Sequence, residues 1–401
     1  MSALILTLNA GSSSIKFALF ERYDHPVEPE LRLSGQVQSL DSSTRLSAQW
    51  ALEQTDRPQK VEETLELADQ SFHACGFEAV FRLIDRYLPD APITAVGHRL
   101  VHGGVHYAQP VLIDDQVLRV LDSLTPFAPL HEPHNIKGIR AALNAYPEAP
   151  QVACFDTAFH RQHSYVNDVF ALPRRYYEQG VRRYGFHGLS YEYIASELAE
   201  VMPDIATGRV VVAHLGNGAS MCGMIDGESV SSTMGFSALD GLPMGTRCGE
   251  IDPGVILYML DHEGLSSERI SDILYKESGL LGISGLSNDM RTLTDSNSEE
   301  ARQAVDYFVF RIRHELGGLA FALGGLDALV FTGGIGENSA LVRERVCSQL
   351  DWFGVEIDPS LNADHAFEIS TPDSPVRVLV MPTNEELVIA RAVGGMLSSS
   401  E

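Results

Sequence analysis

Apolar and polar positions alternate along residues 4–20 in the pattern of two β-strands joined by a polar turn. The turn, residues 9–14, consists of Asn, Ala, Gly and Ser, and Lys16 follows it closely. Small residues, hydroxyls and backbone N–H groups at a hairpin tip are suited to bind a polyphosphate. From this segment alone, an ordinary edge hairpin with solvated serines is an equally good interpretation.

The same order of apolar run, Asn/Gly/Ser turn and apolar run recurs at residues 210–225, in the other half of the chain. This recurrence favours the polyphosphate interpretation, and 401 residues suit two domains. We therefore expect a duplicated α/β fold that closes on a nucleotide. Further strands are predicted at residues 31–37, 46–52, 93–96, 151–155 and 376–381, and helices at 72–87 and 135–146.

Three further local predictions follow from the same pattern. Residues 56–69 are expected to form a charged, solvated stretch. Ser296 and Glu299 predict a capping box for a long helix that ends at Gly324 and Gly325. A strand, a glycine turn and a helix that starts near Asn338 are predicted within residues 327–339, where a phosphate or planar group could lie against bare backbone.

Basic residues and glycines follow the predicted strand 93–96 in the segment GHRLVHGG, residues 97–104. Ligands of α/β sheets collect at the carboxyl ends of strands, so this segment predicts an anion site. Arg99 is the leading candidate because a guanidinium can hold a carboxylate or phosphate through two parallel hydrogen bonds. His98, His102 and His106 match no metal-ligand spacing, and their alternative interpretation is loop histidines without a ligand.

Two more polar segments come before the middle of the chain. In PLHEPHN, residues 129–135, His131 is a candidate substrate-side histidine. Pro133 disfavours a metal-binding helical pair of His131 and His134. Asp156 follows the strand 151–155, where a carboxylate serves either as a catalytic or metal-organising acid or as a helix N-cap.

The second half contains two segments in which basic residues and glycines are concentrated. Residues 182–195 bring His187 together with two arginines and two glycines, a mixture that folding alone does not explain. Residues 234–254 surround Arg247 with Gly, Met and Pro, which predicts a rigid loop against a ligand. Asp252 and Pro253 then open a helix in the cap and first-turn positions.

Composition and charge restrict the classes of partner. The formal net charge of −25 argues against nucleic-acid or anionic-membrane binding, so an anionic substrate must be drawn in by local Arg, Lys and His clusters. The five scattered cysteines indicate reduced thiols in a cytoplasmic protein. No signal peptide or bilayer-spanning run is evident, and the common nucleotide-binding and hydrolase motifs are missing from the sequence.

The segments together resemble the acetate kinase family, in order and roughly in spacing. The matching segments are LNAGSSSIK, GHRLVHGG, FDTAFH, RYGFHGLSYEYIA, HLGNGAS, MGTRCGEIDPG, FTGGIGENS and PTNEELVIA. The resemblance covers nearly the whole chain and implies two duplicated actin-like, ribonuclease H-like domains with a nucleotide cleft between them. It implies a homodimer and reversible transfer of the γ-phosphoryl group of ATP to acetate with Mg²⁺ or Mn²⁺. It places an N-terminal acyl-substrate domain at residues 1–150, completed by the helix 384–401, and a nucleotide domain at 151–383.

The resemblance also implies roles for individual residues. Metal ligands would be Asn9 and Glu385. Catalytic residues would be Asp156, His187, Arg247, Arg99 and His131. The acid would be bound by Arg99, Val101, Leu130, Phe186 and Ala238. ATP would be bound by Lys16, His214, Leu215, Gly216, Asn217, Gly218, Asp289, Met290, Arg291, Gly333, Gly334, Ile335, Gly336, Glu337 and Asn338.

The expected mechanism follows from charge. Acetate is ionised near neutral pH and needs no general base, so the obstacle is repulsion between two anions. We expect in-line transfer in which Arg99 holds the carboxylate, while His187 and Arg247 hold the moving phosphoryl group. Asp156 is expected to orient Mg²⁺ through water or to steer an arginine.

Alternatives remain open at this point. Ala238 stands where relatives usually carry proline, and the smaller side chain leaves room for propionate or butyrate in place of acetate. A non-catalytic nucleotide-binding module on the same fold is a second alternative. A sugar kinase is a third, which would need Asp156 as a base against a neutral hydroxyl, and the arginines on the acceptor side argue against it.

Overall fold

The computed structural model describes residues 3–11, 14–23, 27–40, 43–51, 60–67, 71–89, 92–128 and 131–398. The chain divides into two compact units, Met1–Ala158 with Asn384–Glu401, and Phe159–Thr383. The first division falls at residue 158 and not at the predicted residue 150, because the strand Gln151–Phe155 pairs with Ile93–Leu100 of the first unit.

The strands lie in two sheets, one in each unit. The described strands are β1 (Ala3–Ala10), β2 (Ser14–Arg22), β3 (Glu30–Leu40), β4 (Ser43–Trp50), β5 (Lys60–Leu65), β6 (Ile93–Leu100), β7 (Val111–Leu112), β8 (Gln151–Phe155), β9 (Arg209–Leu215), β10 (Ala219–Ile225), β11 (Glu228–Ser232), β12 (Ala328–Thr332) and β13 (Arg377–Val380). The strand order is β5-β4-β3-β2-β1-β6-β8-β7 in the first sheet and β11-β10-β9-β12-β13 in the second.

The helices are numbered in the same way. The described α-helices are α1 (Phe72–Tyr87), α2 (Asp115–Leu124), α3 (Glu132–Ala145), α4 (Tyr165–Asp168), α5 (Arg174–Glu178), α6 (Gly188–Val201), α7 (Pro203–Ala206), α8 (Pro253–Asp261), α9 (Ser267–Lys276), α10 (Gly279–Ser284), α11 (Met290–Asp295), α12 (Glu299–Leu323), α13 (Gly333–Asn338), α14 (Ala340–Cys347), α15 (Pro359–Ala363) and α16 (Glu385–Ser398). Across the described ranges, no helix has the length and apolar character that crossing a bilayer requires.

Each sheet combines an antiparallel hairpin with parallel strands. In the first unit, β1 pairs with β2 in antiparallel fashion and with β6 in parallel, and β6 pairs in parallel with β8. In the second unit, β9 pairs with β10 in antiparallel fashion and with β12 in parallel. The two hairpins predicted from the sequence are therefore present, each beside the parallel part of its own sheet. Ser12 and Ser13 of the first turn lie outside the described residues.

Helices cover both faces of the first sheet. Gly76 of α1 faces Ile15, since a Cβ at Gly76 would lie 2.7 Å from Ile15 Cδ1. The final helix, α16, packs on β1 and β6, and a Cβ at Gly97 of β6 would lie 2.3 Å from Ile389 Cγ2. Asn9, which lies opposite Lys16 in the β1–β2 pairing, contacts Glu385 at the start of α16. Because neighbouring strand residues point to opposite faces, α1 and α16 lie on opposite sides of the sheet.

Several local predictions were wrong. The stretch 56–69 contains the edge strand β5, which the pattern hid because only Leu65 of its residues is buried. Helix α2 was not predicted. The long helix α12 is capped by Ser298, whose Oγ accepts from Ala301 N at 3.0 Å, and not by Ser296, which accepts from Ser298 N at 3.2 Å. Residue 52, the predicted end of β4, lies outside the described residues.

The glycine turn and the first turn of α3 also differ from expectation. Residues 333–338 form the helix α13 themselves, and Ser339 then caps α14. Helix α3 begins at Glu132, earlier than predicted, because proline is compatible with the first turn of a helix. The predicted cap at Asp252 is confirmed, since its Oδ1 accepts from Gly254 N at 2.7 Å.

Candidate active site

Three polar residues meet at the carboxyl ends of the parallel strands of the first unit. Asn9 lies opposite Arg99 in the β1–β6 pairing. Asp156 follows β8, and its backbone N–H donates to the Leu100 carbonyl at 2.9 Å. Parallel strands end at the same edge of a sheet, so residues distant in sequence converge there.

Arg99 is the centre of this cluster. Its Nε donates to Asp156 Oδ1 at 2.8 Å, its Nη2 donates to Asp156 Oδ2 at 2.6 Å, and its Nη1 donates to Asn9 Oδ1 at 2.9 Å. The side chain of Asp156 is 2% exposed and that of Arg99 is 18% exposed. Burial alone would lower the pKa of Arg99, but the charges of Asp156 and Glu385 outweigh it and raise the pKa. The guanidinium is therefore a permanent positive charge at a partly open position.

The final helix contributes Glu385 to the same cluster. Its Oε2 lies 3.5 Å from Arg99 Nε and 3.4 Å from Asn9 Nδ2. Asn384 Oδ1 accepts from Leu387 N at 3.1 Å and caps the helix, and the helix dipole favours carboxylates in the first turn. The neighbouring Glu386 is half-buried, and burial and the charge of Glu385 raise its pKa. The packing of α16 on Gly97 thus determines where Glu385 lies.

Asn135 of α3 ties the residues of the predicted acyl pocket to the strand ends. Its Nδ2 donates to the Ala10 carbonyl at 2.9 Å, and its Oδ1 accepts from Val101 N at 3.2 Å. His131 is the N-cap residue of the same helix and is half-buried. Leu130, predicted to line the pocket, lies outside the described residues. His134 stacks on His73 with ring centroids 4.1 Å apart, which gives it a packing partner within the fold.

His187 of the second unit lies in a turn of unusual backbone conformation. Its φ of 58° is in the left-handed region, where it forms the N-cap of α6. The imidazole Nδ1 is 2.9 Å from Ser220 Oγ, and Tyr191 OH bonds to the same hydroxyl. The ring stacks on His214 with centroids 4.4 Å apart, and Ser190 Oγ is 2.8 Å from His214 Nδ1. These contacts fix the ring plane of His187.

The β9–β10 turn lies directly beside His187. A Cβ at Gly218 would lie 3.3 Å from His187 Nε2, and a Cβ at Gly216 would lie 3.9 Å from Gly334 N. Gly333 has a φ of 76°, and its N–H donates to Glu337 Oε1 at 2.9 Å. Bare backbone of the 214–218 turn therefore adjoins the candidate histidine, and the start of the 333–338 segment adjoins that turn.

Arg247 lies in the loop between β11 and α8. Its Nη1 donates to the Ala238 carbonyl at 3.2 Å and approaches Met244 Sδ at 3.6 Å. Its own carbonyl accepts from Met244 N at 3.0 Å. The loop is tightly packed, since a Cβ at Gly279 would lie 2.6 Å from the Arg247 carbonyl oxygen. Ala238 is therefore linked to Arg247 through its backbone oxygen.

The other predicted ATP-binding residues lie in varied surroundings. Arg291 pairs with Asp289 at 2.9 Å and is 89% exposed. Leu215 and Met290 are buried in the core, so their side chains are not exposed to a ligand. Lys16 belongs to the first unit, where it lines an open groove of about 490 Å³ with Asn384 and Glu386. The glycine turns at residues 214–218 and 333–338 belong to the second unit.

Some site residues were not predicted from the sequence. Ser220 orients His187, and Ser190 orients His214. His160, the last residue of the FDTAFH segment, is fully buried and contacts the Phe186 carbonyl at 3.0 Å. Serines and histidines of this kind give no signal in a single sequence, because their roles arise from pairing between distant strands and loops.

Solved structures share this architecture. A propionate kinase from Francisella tularensis is similar with a TM-score of 0.87 and 36% identity, covering 97% of this chain and 98% of that chain. An acetate kinase from Porphyromonas gingivalis is similar with a TM-score of 0.85 and 34% identity, covering 99% of this chain and 100% of that chain. The fold and the site define a two-domain α/β kinase of the actin-like ATPase fold, and the predicted fold class is confirmed.

Sequence relatives identify the family. The model of the acetokinase family matches residues 4–391. An acetate kinase of Methylocella silvestris is 55% identical over 400 residues, which is 98% of this chain and 97% of that relative. The chain belongs to the acetokinase family, as its motifs indicate, and is an ATP-dependent carboxylate kinase with ATP and ADP as substrates.

Proposed function

We propose that this enzyme transfers the γ-phosphoryl group of ATP reversibly to acetate, by direct in-line displacement, with acetyl phosphate and ADP as products. The observation that carries the proposal is the set of hydrogen bonds that Arg99 donates. A guanidinium has five N–H groups, and Asp156 and Asn9 accept hydrogen bonds from three of them. One N–H on each terminal nitrogen is left to hold the carboxylate of acetate.

The pairing of Asp156 supports a role in orienting Arg99. Both of its oxygens accept hydrogen bonds from the guanidinium. A carboxylate paired with a guanidinium is stabilised in its ionised form, so it is a weak general base. Acetate needs no base, whereas a sugar hydroxyl does, and this favours a carboxylate as the phosphoryl acceptor.

The residues present fit a divalent metal. Across the described ranges, no group of three or more His, Cys, Asp and Glu side chains forms a complete metal site. Asn9 and Glu385 carry an amide oxygen and a carboxylate, which are hard ligands of the kind that Mg²⁺ takes when phosphates and water complete its shell. Asn9 Oδ1 accepts from Arg99 Nη1 and keeps one lone pair for the ion. We propose that these two residues hold Mg²⁺, or Mn²⁺ in its place. The bound metal would neutralise charge on the phosphate oxygens.

His187 and Arg247 are proposed to bind the phosphoryl group in the transition state. The fixed ring plane of His187 and the tightly packed loop of Arg247 are the rigidity that such contacts need. ATP is proposed to lie along residues 214–218 and 333–338, with Asp289 to Arg291 and Lys16 as further contacts. The bare backbone around Gly216 and Gly334 is suited to the approach of anionic oxygens, whereas the Gly333 N–H already donates to Glu337.

The test of this function is Arg247→Ala, followed by hydroxylamine trapping of acetyl phosphate. We expect kcat to fall by about 10³-fold, with a much smaller change in KM for ATP, because the lost contact is made mainly in the transition state. Thermal unfolding of the variant serves as the control for folding. Unchanged turnover would remove Arg247 from the transition state, and a wild-type protein that forms no hydroxamate from acetate would overturn the function itself.

Because residue 238 is alanine, propionate and butyrate are further candidate substrates. The pocket proposed from Val101, Leu130, Phe186 and Ala238 has a methyl group where proline would fill more space. Replacing Ala238 by Pro retains the carbonyl that accepts from Arg247, so the variant changes mainly the pocket volume. We expect Ala238→Pro to raise the ratio of kcat/KM for acetate to that for propionate. An unchanged ratio would discard the pocket argument.

We also propose a homodimer in the cytoplasm. Helix α8 has the sequence PGVILYMLD, and none of its residues is buried. Leu257 is 57% exposed and Tyr258 is 52% exposed. A helix that is apolar on all sides is normally covered, and a second copy of the chain is the occupant that we propose. No nucleic-acid or membrane partner is expected for a chain with a net charge of −25.

A further inference from the structure

His160 is a buried histidine that the proposed mechanism does not use. It ends the short 3₁₀ turn Ala158–His160, after Asp156, and it is fully buried. Its Nδ1 is 2.7 Å from Ser229 Oγ, and its Nε2 is 3.0 Å from the carbonyl oxygen of Phe186. The peptide bond that carries this carbonyl joins Phe186 to His187.

The Phe186 carbonyl, at the end of this series of hydrogen bonds, determines which ring nitrogen of His160 carries the proton. A carbonyl only accepts, so Nε2 of His160 carries the proton and donates to Phe186. Burial lowers the pKa of His160 to about 3, assisted by His163, so the ring is neutral and its Nδ1 accepts from the Ser229 hydroxyl. The Ser229 oxygen then accepts from His163 Nε2, which is 2.7 Å away. The hydrogen bonds therefore run in one direction, from His163 through Ser229 and His160 to the Phe186 carbonyl.

The backbone next to this carbonyl is shaped to receive the ring. Gly185 has a φ of 74°, and a Cβ there would lie 2.5 Å from His160 Cδ2. His187, two residues later, has a φ of 58°, a left-handed conformation that residues other than glycine rarely adopt. Arg161, which directly follows His160 in the sequence, donates through Nη2 to the carbonyls of Arg183 and Tyr184, each at 3.0 Å. Residues 160 and 161 together hold the segment 183–187.

We propose that His160 is a positioning residue for phosphoryl transfer, because its hydrogen bond to the Phe186 carbonyl holds the left-handed turn that presents the His187 imidazole. The inference rests on the proposed role of His187. It assigns to the FDTAFH segment a function besides that of Asp156. Without the bond, the Phe186–His187 peptide can rotate, and both the imidazole and the Phe186 ring move with it.

A matched pair of variants separates this role from packing. In His160→Gln the side-chain amide can place an N–H near the position of Nε2, whereas in His160→Asn it reaches only the position of Nδ1. We expect His160→Asn to lose about 10- to 100-fold in kcat, as displacement of a reacting group by about 1 Å does. We expect His160→Gln to recover most of that loss, and KM for ATP to change little in either variant. If both variants lose kcat to the same extent, and in proportion to their loss of thermal stability, the proposal is wrong.

A double-mutant cycle separates failure of this inference from failure of the proposed function. If His160 acts through His187, His160→Asn will reduce kcat much less in a His187→Ala background than in the wild type. Additive losses would overturn the positioning role. Wild-type turnover of His187→Ala would instead overturn the proposed role of His187, and the inference with it.

A spectroscopic measurement on the wild-type protein covers the case in which His160→Asn does not fold. Nitrogen NMR of the histidine rings should show His160 as the neutral Nε2–H tautomer across the pH range of activity, with His160→Gln used to assign the signal. A neutral Nδ1–H tautomer, or a charged ring near neutral pH, would overturn the proposal, because neither is compatible with the directed chain of hydrogen bonds.

Discussion

A methyl group added at Gly97 is expected to loosen the helix that carries Glu385. A Cβ at this position would lie 2.3 Å from Ile389 Cγ2 and 2.9 Å from Val393 Cγ2. Carbon atoms in contact are separated by about 3.5–4.0 Å, so α16 must retreat by about 1 Å or both side chains must leave their rotamers. Overpacking of this kind costs about 1–3 kcal/mol. We expect Gly97→Ala to lower the free energy of unfolding by that amount.

The retreat of α16 should also weaken the proposed Mg²⁺ site of Asn9 and Glu385. We expect Gly97→Ala to raise the Mg²⁺ concentration at half-maximal activity, because Glu385 moves away from Asn9. Urea unfolding measures the loss of stability, and a Mg²⁺ titration of turnover measures the change in Mg²⁺ requirement. Gly394→Ala on the same helix is the control: nothing lies within 4 Å of its added Cβ, and alanine is favoured over glycine within a helix by about 0.5–1 kcal/mol.

Removing the side chain that the methyl group meets provides a second control. The cost of Gly97→Ala should be smaller in an Ile389→Ala background, because the nearer of the two carbons that the methyl group meets is gone. Our account of how α16 is held in place would be refuted by a Gly97→Ala protein with wild-type urea unfolding and a wild-type Mg²⁺ requirement.

Two further predictions concern Glu132 and Leu257. Burial, with a smaller effect of Asp122, raises the pKa of Glu132 from 4.5 to about 8. The unfolded chain therefore loses this proton at lower pH than the folded chain, and the free energy of unfolding falls as the pH rises between these two pKa values. Glu132→Gln should remove this fall, and wild type and variant that unfold identically at about pH 5 and at about pH 9 would contradict the prediction. Leu257→Glu should convert the proposed dimer to a monomer in light scattering, whereas Val201→Glu, at a similar 54% exposure, should not; a Leu257→Glu protein that remains dimeric would rule out α8 as the contact.

The strand ends were predictable, since Asn9, Arg99 and Asp156 all stand where an apolar run stops. Their convergence requires only that β1, β6 and β8 be parallel neighbours, and that arrangement follows from the α/β class. The sequence left open whether Asp156 orients a metal or steers an arginine. A guanidinium can bind a ligand or an internal carboxylate equally well, and only the register of the strands places Asp156 within 2.6 Å.

Other parts of the site could not be predicted from the local sequence pattern. The left-handed turn at His187 depends on contacts from His160 and Ser220, which belong to distant segments. The glycines of residues 333–338 predict a turn, because glycine lowers helix propensity, whereas the structure has the helix α13 there, with a hydrogen bond from Gly333 N to Glu337. The edge strand β5 and the cap at Ser298 show the same limit, since local pattern does not record tertiary pairing.

The return of α16 to the first unit has a consequence for biosynthesis. Nascent chains fold domain by domain as they leave the ribosome, yet the sheet formed by residues 3–155 lacks the helix that covers Gly97 until residues 385–398 have been made. The whole of the second unit is translated in between. The first unit therefore has an uncovered apolar face during this time, and Glu385 reaches Asn9 and Arg99 only after the second unit has been synthesised.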